Sequence, residues 1–391
     1  MSGRVMFYVQ SLLGIGHLKR ASNIARAMAA ARLDVTVVLG GACVPGVNFD
    51  GCGRVLLPPV RARDETFSVL IDENDAPIDD AWRDRRQARL LAEFETIRPD
   101  VLLIEQFPFG RRQFRFELLP LLRRARTLPR RPRIVSSVRD ILVPKADPRK
   151  NADMIAAARA WFDSVLVHGD RAFLPLDASF PAVATIADRL IYTGYVVDPT
   201  DIDRVARDRE DGRGEVIVSA GGGAVAEPLL RTALAARPLS RLAEHPWRLV
   251  TGVHLPDAVF DAIAWNAPPG AIVERWRNDV TVLMHNAILS ISQGGYNTVM
   301  DVLTTRARAI IVPFAAGNET EQTLRARALA AEGAVSIVEA GDLSPQRLAE
   351  VIDWTLETAP TFPAVDLSGA ESTARIVAGM CGSAMTARMT D

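Results

Sequence analysis

One histidine in this sequence stands where a reaction would need a proton acceptor. His17 lies in Leu13-Gly14-Ile15-Gly16-His17-Leu18-Lys19-Arg20, directly after the apolar run Val5–Val9 and at the start of a helical stretch, Leu18–Ala31. Glycines such as Gly16 let a ligand approach the backbone closely. In open α/β sheets, ligands gather at the carboxyl ends of strands. An imidazole there, titrating near neutrality, can take a proton from a sugar hydroxyl or from water. The plain alternative is a helix-capping turn with His17 in solvent. A dinucleotide fingerprint does not fit, because the spacing is Gly-x-Gly-His and no acid closes the second strand, Val35–Leu39.

Three further turns follow strands in the C-terminal half. Ser219-Ala220-Gly221-Gly222-Gly223-Ala224 exposes backbone N–H groups that can meet a pyrophosphate, and without a following Gly-Lys-Ser/Thr it is no P-loop. Ser292-Gln293-Gly294-Gly295-Tyr296-Asn297-Thr298-Val299-Met300-Asp301 repeats the pattern of strand, glycines and helix start. Its Asp301 is spaced to accept hydrogen bonds from both hydroxyls of a ribose. Pro313 to Gln322 sets Asn318, Glu321 and Gln322 at another helix start, where they can read sugar hydroxyls. Each turn alone is a capped helix; four together weigh more. In the N-terminal half, Glu105, Arg139-Asp140 and His168 also end strands. They are candidates for the acceptor side, with Glu105 an alternative base to His17. A buried ion pair or helix cap competes in each case.

The elements that must hold these residues are short apolar runs alternating with longer helical stretches. Val5–Val9, Val35–Leu39, Val101–Ile104, Ile134–Val138 and Val165–Val167 read as strands, with helices Leu18–Ala31, Asp79–Ile97 and Asn151–Phe162 between them. Such alternation gives a parallel sheet covered on both faces, a doubly wound α/β domain. The pattern breaks near Ile191–Tyr195, passes a polar stretch, and restarts at Val216–Ser219. Strands Arg248–Thr251, Ile272–Glu274, Ile288–Ser292 and Ile310–Pro313 follow, with helices Thr298–Thr305 and Glu319–Ala331. The expectation is two domains, 1–197 and 213–391, joined by a linker at 198–212, with a last helix, Glu371–Met380, packing back on the first.

A net charge of −1 argues against a nucleic-acid partner. Three cysteines without zinc spacing, no signal-like start and no run of ~18 apolar residues make the cytoplasm the expected location. Asp201-Ile202-Asp203 has the form of an acid-x-acid metal site but lies in the polar stretch rather than at a strand end. No metal is expected, since helix N-termini can offset a pyrophosphate's charge.

The whole arrangement resembles the glycosyltransferase B fold (GT-B), with two Rossmann-like doubly wound domains facing a central cleft, and specifically its family 28 branch. The Gly-x-Gly-His turn resembles that family's glycine-rich loop, and Ser292–Asp301 its donor signature. Val312-Pro313-Phe314 with Asn318, Glu321 and Gln322 resembles the loop that reads the donor sugar. The resemblance implies transfer of a hexosamine from a UDP-sugar to an acceptor hydroxyl with inversion and without metal. It implies that Gly16, Gly221, Gly222, Gly223, Gln293, Gly294, Gly295, Asn297 and Thr298 surround the nucleotide sugar. Asp301 would hold the ribose, Glu321 and Gln322 the sugar, and Arg277 the loop at the base. His17 or Glu105 would be the base, with Arg139, Asp140 and His168 toward the acceptor.

Two departures set limits. Leu18-Lys19-Arg20 replaces the family's proline after the histidine, and the acceptor half carries its own markers, Glu105–Arg112 and Ser137–Asp140. The acceptor is therefore left open between lipid-linked and polysaccharide. The Phe- and Arg-rich stretch 107–133 reads either as a contact with the inner membrane face or as an amphipathic core helix. The rival functions are a nucleotide-sugar hydrolase, suggested by Gly14–Arg20, and a non-catalytic nucleotide-binding partner subunit.

Overall fold

The computed structural model describes residues 2–12, 16–41, 44, 46–63, 69–198, 200, 203, 207, 210–220, 227–252, 255–314 and 320–386. They form two compact units: 1–196 with 366–391, and 197–365.

In the first unit, seven strands make one sheet. They are β1 Arg4–Val9, β2 Asp34–Leu39, β3 Gly53–Leu56, β6 Val101–Glu105, β7 Arg133–Arg139, β8 Ser164–His168 and β9 Leu190–Tyr192; β4 Arg61–Ala62 and β5 Leu70–Ile71 form a separate small hairpin. The order is β3-β2-β1-β6-β7-β8-β9, and each of its pairs is parallel. β1 shows why its sequence is apolar without a break: Val5 to Val9 are all fully buried, as in a strand covered on both faces. Alternate residues serve opposite layers. Val5, Phe7 and Val9 pack with Leu18, Ile24 and Met28 of helix Gly16–Ala30, whereas Met6 and Tyr8 meet Leu90, Phe94, Leu118 and Leu122 of helices Asp80–Ile97 and Arg115–Thr127.

The last helix, Gly369–Thr386, belongs to this unit, with Ala370, Ala374, Val377 and Cys381 in the same layer as Val5 and Leu18. Gly369 allows the approach: a Cβ there would lie 2.4 Å from the carbonyl oxygen of Gly194. The domain expected at 213–391 thus ends at 365. At its other end, Asp211 and Gly212 of the expected linker are built into the second unit. Asp211 pairs with Arg277, and Gly212, with φ +84°, lies against Leu283.

The second unit holds β10 Val216–Ser219, β11 Trp247–Val250, β12 Ala271–Glu274, β13 Leu289–Ser292, β14 Ala309–Ile311 and β15 Ser336–Ile337. All pairs are parallel in the order β12-β11-β10-β13-β14-β15. In each sheet the chain reverses its direction of winding once, between β1 and β6 and between β10 and β13. Ligand crevices of open α/β sheets form at such switch points. Among the elements that carried too little pattern to be expected are the short edge strands β3, β9 and β15 and the helices Asp257–Trp265 and Pro345–Glu357. β9 occupies the place where the sequence pattern breaks.

Among the described residues, no helix is long and apolar enough to cross a membrane. The stretch 107–133 contains an amphipathic core helix. Phe107, Phe109 and Phe114 are buried, Arg124 pairs with Glu95 and Arg131 with Asp163. Three of the four phenylalanines that a membrane contact would use are thus turned inward.

Candidate active site

At the switch point of the first unit, His17 is the second residue of helix Gly16–Ala30, and its side chain is 19% exposed. Its Nδ1 lies 2.8 Å from Oε1 of Glu105 at the end of β6. Its Nε2 lies 2.6 Å from Nη2 of Arg139 at the end of β7. A carboxylate only accepts and a guanidinium only donates, so these contacts assign the ring. Nδ1 carries the proton and donates to Glu105; Nε2 holds the lone pair and accepts from Arg139. The imidazole is neutral, and burial and then Arg139 push its pKa down to about 3.

Glu105 is buried and also accepts from Nη2 of the buried Arg20 at 2.6 Å. Burial alone would raise its pKa; His17, then Arg20 and Arg111, draw it down to about 2. Accepting from both His17 and Arg20, Glu105 orients the imidazole ring. Arg111 donates from Nε to the Gln10 carbonyl at 2.8 Å, and its φ of +59° places it in the left-handed region. Two acceptor-side candidates are corrected. His168 is fully buried, with Nε2 2.7 Å from Ser137 Oγ and Nδ1 2.9 Å from Thr193 Oγ1, and Asp140 is fully buried. Neither can touch a ligand. Of the three, Arg139 stands beside His17.

In the second unit, the N–H of Gln293 donates to the Ser219 carbonyl at 3.3 Å, joining the ends of β10 and β13 at the switch point. Gly295 caps helix Tyr296–Thr305, whose first amides point toward the turn. A Cβ on Gly294 would come 3.1 Å from the Gln322 carbonyl oxygen, so glycine permits this packing. Asn297 is half-buried and Thr298 buried. Asp301 Oδ1 accepts from Thr281 Oγ1 at 3.0 Å.

Glu321 and Gln322 begin the neighbouring helix, Glu321–Ala331, and Gln322 Oε1 accepts from the Phe314 N–H at 3.0 Å. Arg325, fully buried, bridges the two turns: Nη1 donates to the Gly294 carbonyl at 3.1 Å and Nη2 to Glu321 at 2.9 Å. Arg277 is held by Asp279 and Asp211, each at 2.6 Å, and by Glu274 at 3.4 Å. Its guanidinium is committed to these acids. Gly221, Gly222, Gly223 and Asn318, and Gly14 of the histidine turn, lie outside the described residues.

Sequence reasoning assigned no role to Arg20, Arg111 or Arg325. Arg325 had one readable signal, its i,i+4 spacing from Glu321. Arg20 and Arg111 lie inside the motifs of His17 and Glu105, yet only folding shows what they face.

Comparison with known proteins places this geometry. Residues 216–373 match the model described as glycosyltransferase family 28 C-terminal domain. That segment resembles a family 28 domain. Over 75 residues the chain is 39% identical to the UDP-N-acetylglucosamine--N-acetylmuramyl-(pentapeptide) pyrophosphoryl-undecaprenol N-acetylglucosamine transferase of Brucella canis. The match covers 19% of this chain and 20% of that protein, so the chain spans about a fifth of the length of the curated relatives it matches. Solved structures align over nearly the whole chain. CalG4, the calicheamicin glycosyltransferase, has a TM-score of 0.60 at 14% identity, covering 98% of this chain and 95% of its own. MurG of Acinetobacter baumannii has 0.57 at 16% identity, covering 97% and 99%. The fold is that of the GT-B glycosyltransferases, two Rossmann-like domains.

Proposed function

We propose that this protein is a glycosyltransferase that moves a hexosamine from a UDP-sugar to an acceptor hydroxyl, with inversion and with His17 as the base. The observation that carries the reading is the tautomer of His17. The Nδ1–H donates to Glu105, so the lone pair of Nε2 is the basic position. In the proposed step the acceptor oxygen attacks the anomeric carbon as its proton passes to Nε2. The bond from that carbon to the diphosphate breaks, and the leaving UDP takes the electron pair. One displacement inverts the centre.

The donor side rests on the second unit. The helix start at Gly295 offers its amides and positive end to the pyrophosphate, a role that requires no metal. Asp301 would hold the ribose and Gln322 the sugar, with Gly221–Gly223 and Asn318 completing the contacts as the family resemblance implies. The choice of UDP and a hexosamine is supported by the name of the Brucella relative, and so is a lipid-linked acceptor. A cytoplasmic enzyme at the inner membrane face would use exposed arginines such as Arg123 and Arg130 for contact.

The test is transfer from UDP-hexosamines to polyprenyl-pyrophosphate acceptors, followed by mass spectrometry, for the wild type and His17→Ala. Removal of a general base is expected to cost roughly 10²–10⁴-fold in rate with donor affinity unchanged. Equal rates in the two proteins would refute the assignment of His17. Release of free sugar at the transfer rate without acceptor would make the protein a hydrolase.

A further inference from the structure

The turns that follow β1, β2 and β3 are joined by a buried ion pair that the proposed mechanism does not use. Arg86 of helix Asp80–Ile97 and Glu117 of helix Arg115–Thr127 are both fully buried, as are Tyr8 in β1 and Gln10 after it. All five N–H groups of the guanidinium find acceptors. Nε and Nη2 donate to the two oxygens of Glu117 at 2.7 and 3.1 Å, and Nη2 donates also to Gln10 Oε1 at 2.6 Å. Nη1 donates to the Gly40 carbonyl at 2.9 Å and to that of Pro58. The Tyr8 hydroxyl donates to Glu117 as well. Trp82 and Phe114 each set a ring centre 5.5 Å from the guanidinium carbon. Gln10, Gly40 and Pro58 follow β1, β2 and β3, so one side chain ties together three neighbouring strand-end turns. The packing leaves no slack: a Cβ on Gly40 would lie 1.9 Å from Gln10 Oε1 and 2.3 Å from Arg86 Nη2.

A buried ion pair is a poor source of stability, because desolvation offsets the attraction and well-packed uncharged residues can replace it at little cost. Gln10 links this pair to the site. Its side chain accepts from Arg86, and its main-chain carbonyl accepts from Arg111 Nε at 2.8 Å. Arg111 has a φ of +59°, a conformation that a non-glycine residue keeps only where its surroundings impose it. Its charge acts on both Glu105 and His17. We propose that Arg86 is a positioning residue for the transfer: paired with Glu117, it fixes the three turns and, through Gln10, holds Arg111 in place for Glu105 and His17. This rests on the reading of His17 as the base, and it adds a fully buried residue on which the geometry around that base depends.

The test compares three proteins with the wild type. Arg86→Met/Glu117→Gln removes both charges of the pair and keeps an acceptor for Tyr8; the others are Arg111→Met and the triple variant. The readout is ¹⁵N-imidazole NMR of His17 on the full chain, whose five histidines can be sorted by comparison with His17→Gln. Arg86→Met/Glu117→Gln is expected to move the His17 signals in the same direction as Arg111→Met. The triple variant should move them no further than the larger of those two shifts, as for residues that act in series. In transfer from UDP-N-acetylglucosamine, Arg86→Met/Glu117→Gln should lose roughly tenfold to a hundredfold in kcat, with donor affinity in calorimetry unchanged.

The inference is overturned if a folded Arg86→Met/Glu117→Gln leaves the His17 signals at their wild-type positions, or leaves kcat unchanged; the pair would then be structural only. It is overturned as well if the shift in the triple variant is the sum of the other two, since Arg86 would then not act through Arg111. Should Arg86→Met/Glu117→Gln fail to fold, Arg86→Lys serves. It keeps the charge opposite Glu117 but lacks the forked donor that reaches three turns at once. It is expected to shift the His17 signals in the same direction, and unmoved signals overturn the proposal. A protein whose His17 signals respond as described but which transfers no sugar counts against the transferase reading alone.

Discussion

Replacing Glu105 by glutamine changes little but charge, since the amide oxygen can still accept from Nδ1 of His17 and from Arg20. The cost can be worked from the depressed carboxyl. Its pKa falls from 4.5 to about 2 in the folded protein. At ~1.4 kcal/mol per pH unit this is on the order of 3 kcal/mol of stability at neutral pH. The same size follows from the ~3–5 kcal/mol lost when one partner of a buried ion pair is removed. Because the folded pKa is lowered, this stabilisation is complete above pH 4.5 and disappears as the pH falls toward 2. Glu105→Gln should therefore be about 3 kcal/mol less stable than wild type at pH 7, and the gap should close in acid. Hydrogen exchange in urea, read on peptides from β1 and β6, measures the first unit without interference from the second. A gap at pH 7 below about 0.5 kcal/mol, or one of equal size at pH 7 and pH 3, would refute the reasoning.

Other expectations follow from the same structure. His168 is kept neutral by burial and by Arg20, with its pKa lowered from 6.5 to about 3, so an unfolded chain binds a proton there before the folded one does. Stability is lost as pH falls from 6.5 toward 3, and His168→Gln should remove on the order of 2 kcal/mol of the loss between pH 7 and 5, measured by urea titration at both. Gly369→Ala sets a Cβ against the carbonyl oxygens of Gly194 and Tyr195, at 2.4 and 2.6 Å. Roughly 1–3 kcal/mol of destabilisation is expected, and early exchange of the last helix would reveal it. Arg325→Met leaves Glu321 and the Gly294 carbonyl without their shared donor. It should cost about 3 kcal/mol and weaken nucleotide-sugar binding in calorimetry; unchanged affinity would separate Arg325 from the donor site.

The βα alternation was legible because parallel strands buried on both faces need unbroken apolar runs, and Val5–Val9 is such a run. Short edge strands were not legible, since the three residues of β9 carry no period to detect. The position of His17 was readable from its glycines, but its state was not. The groups that fix its tautomer, Glu105 and Arg139, lie 88 and 122 residues away in sequence. Glu105 and His168 looked alike as polar residues ending strands. Both are buried, and only their contacts separate a residue that orients His17 from one locked between two hydroxyls. The ion pairs of Arg277 were hidden for the same reason, because Asp211 comes to it from 66 residues away.

The central claim is that the family 28 segment binds a nucleotide sugar at the glycine turn of β13, with Asp301 on its ribose. Isothermal titration of the full chain with UDP-N-acetylglucosamine, for wild type and Asp301→Ala, tests it most directly. The account predicts saturable binding that weakens at least about tenfold in the variant, the loss of one charge-assisted hydrogen-bonded contact. Equal affinity in the two proteins, or no binding of any nucleotide sugar to the wild type, would contradict it.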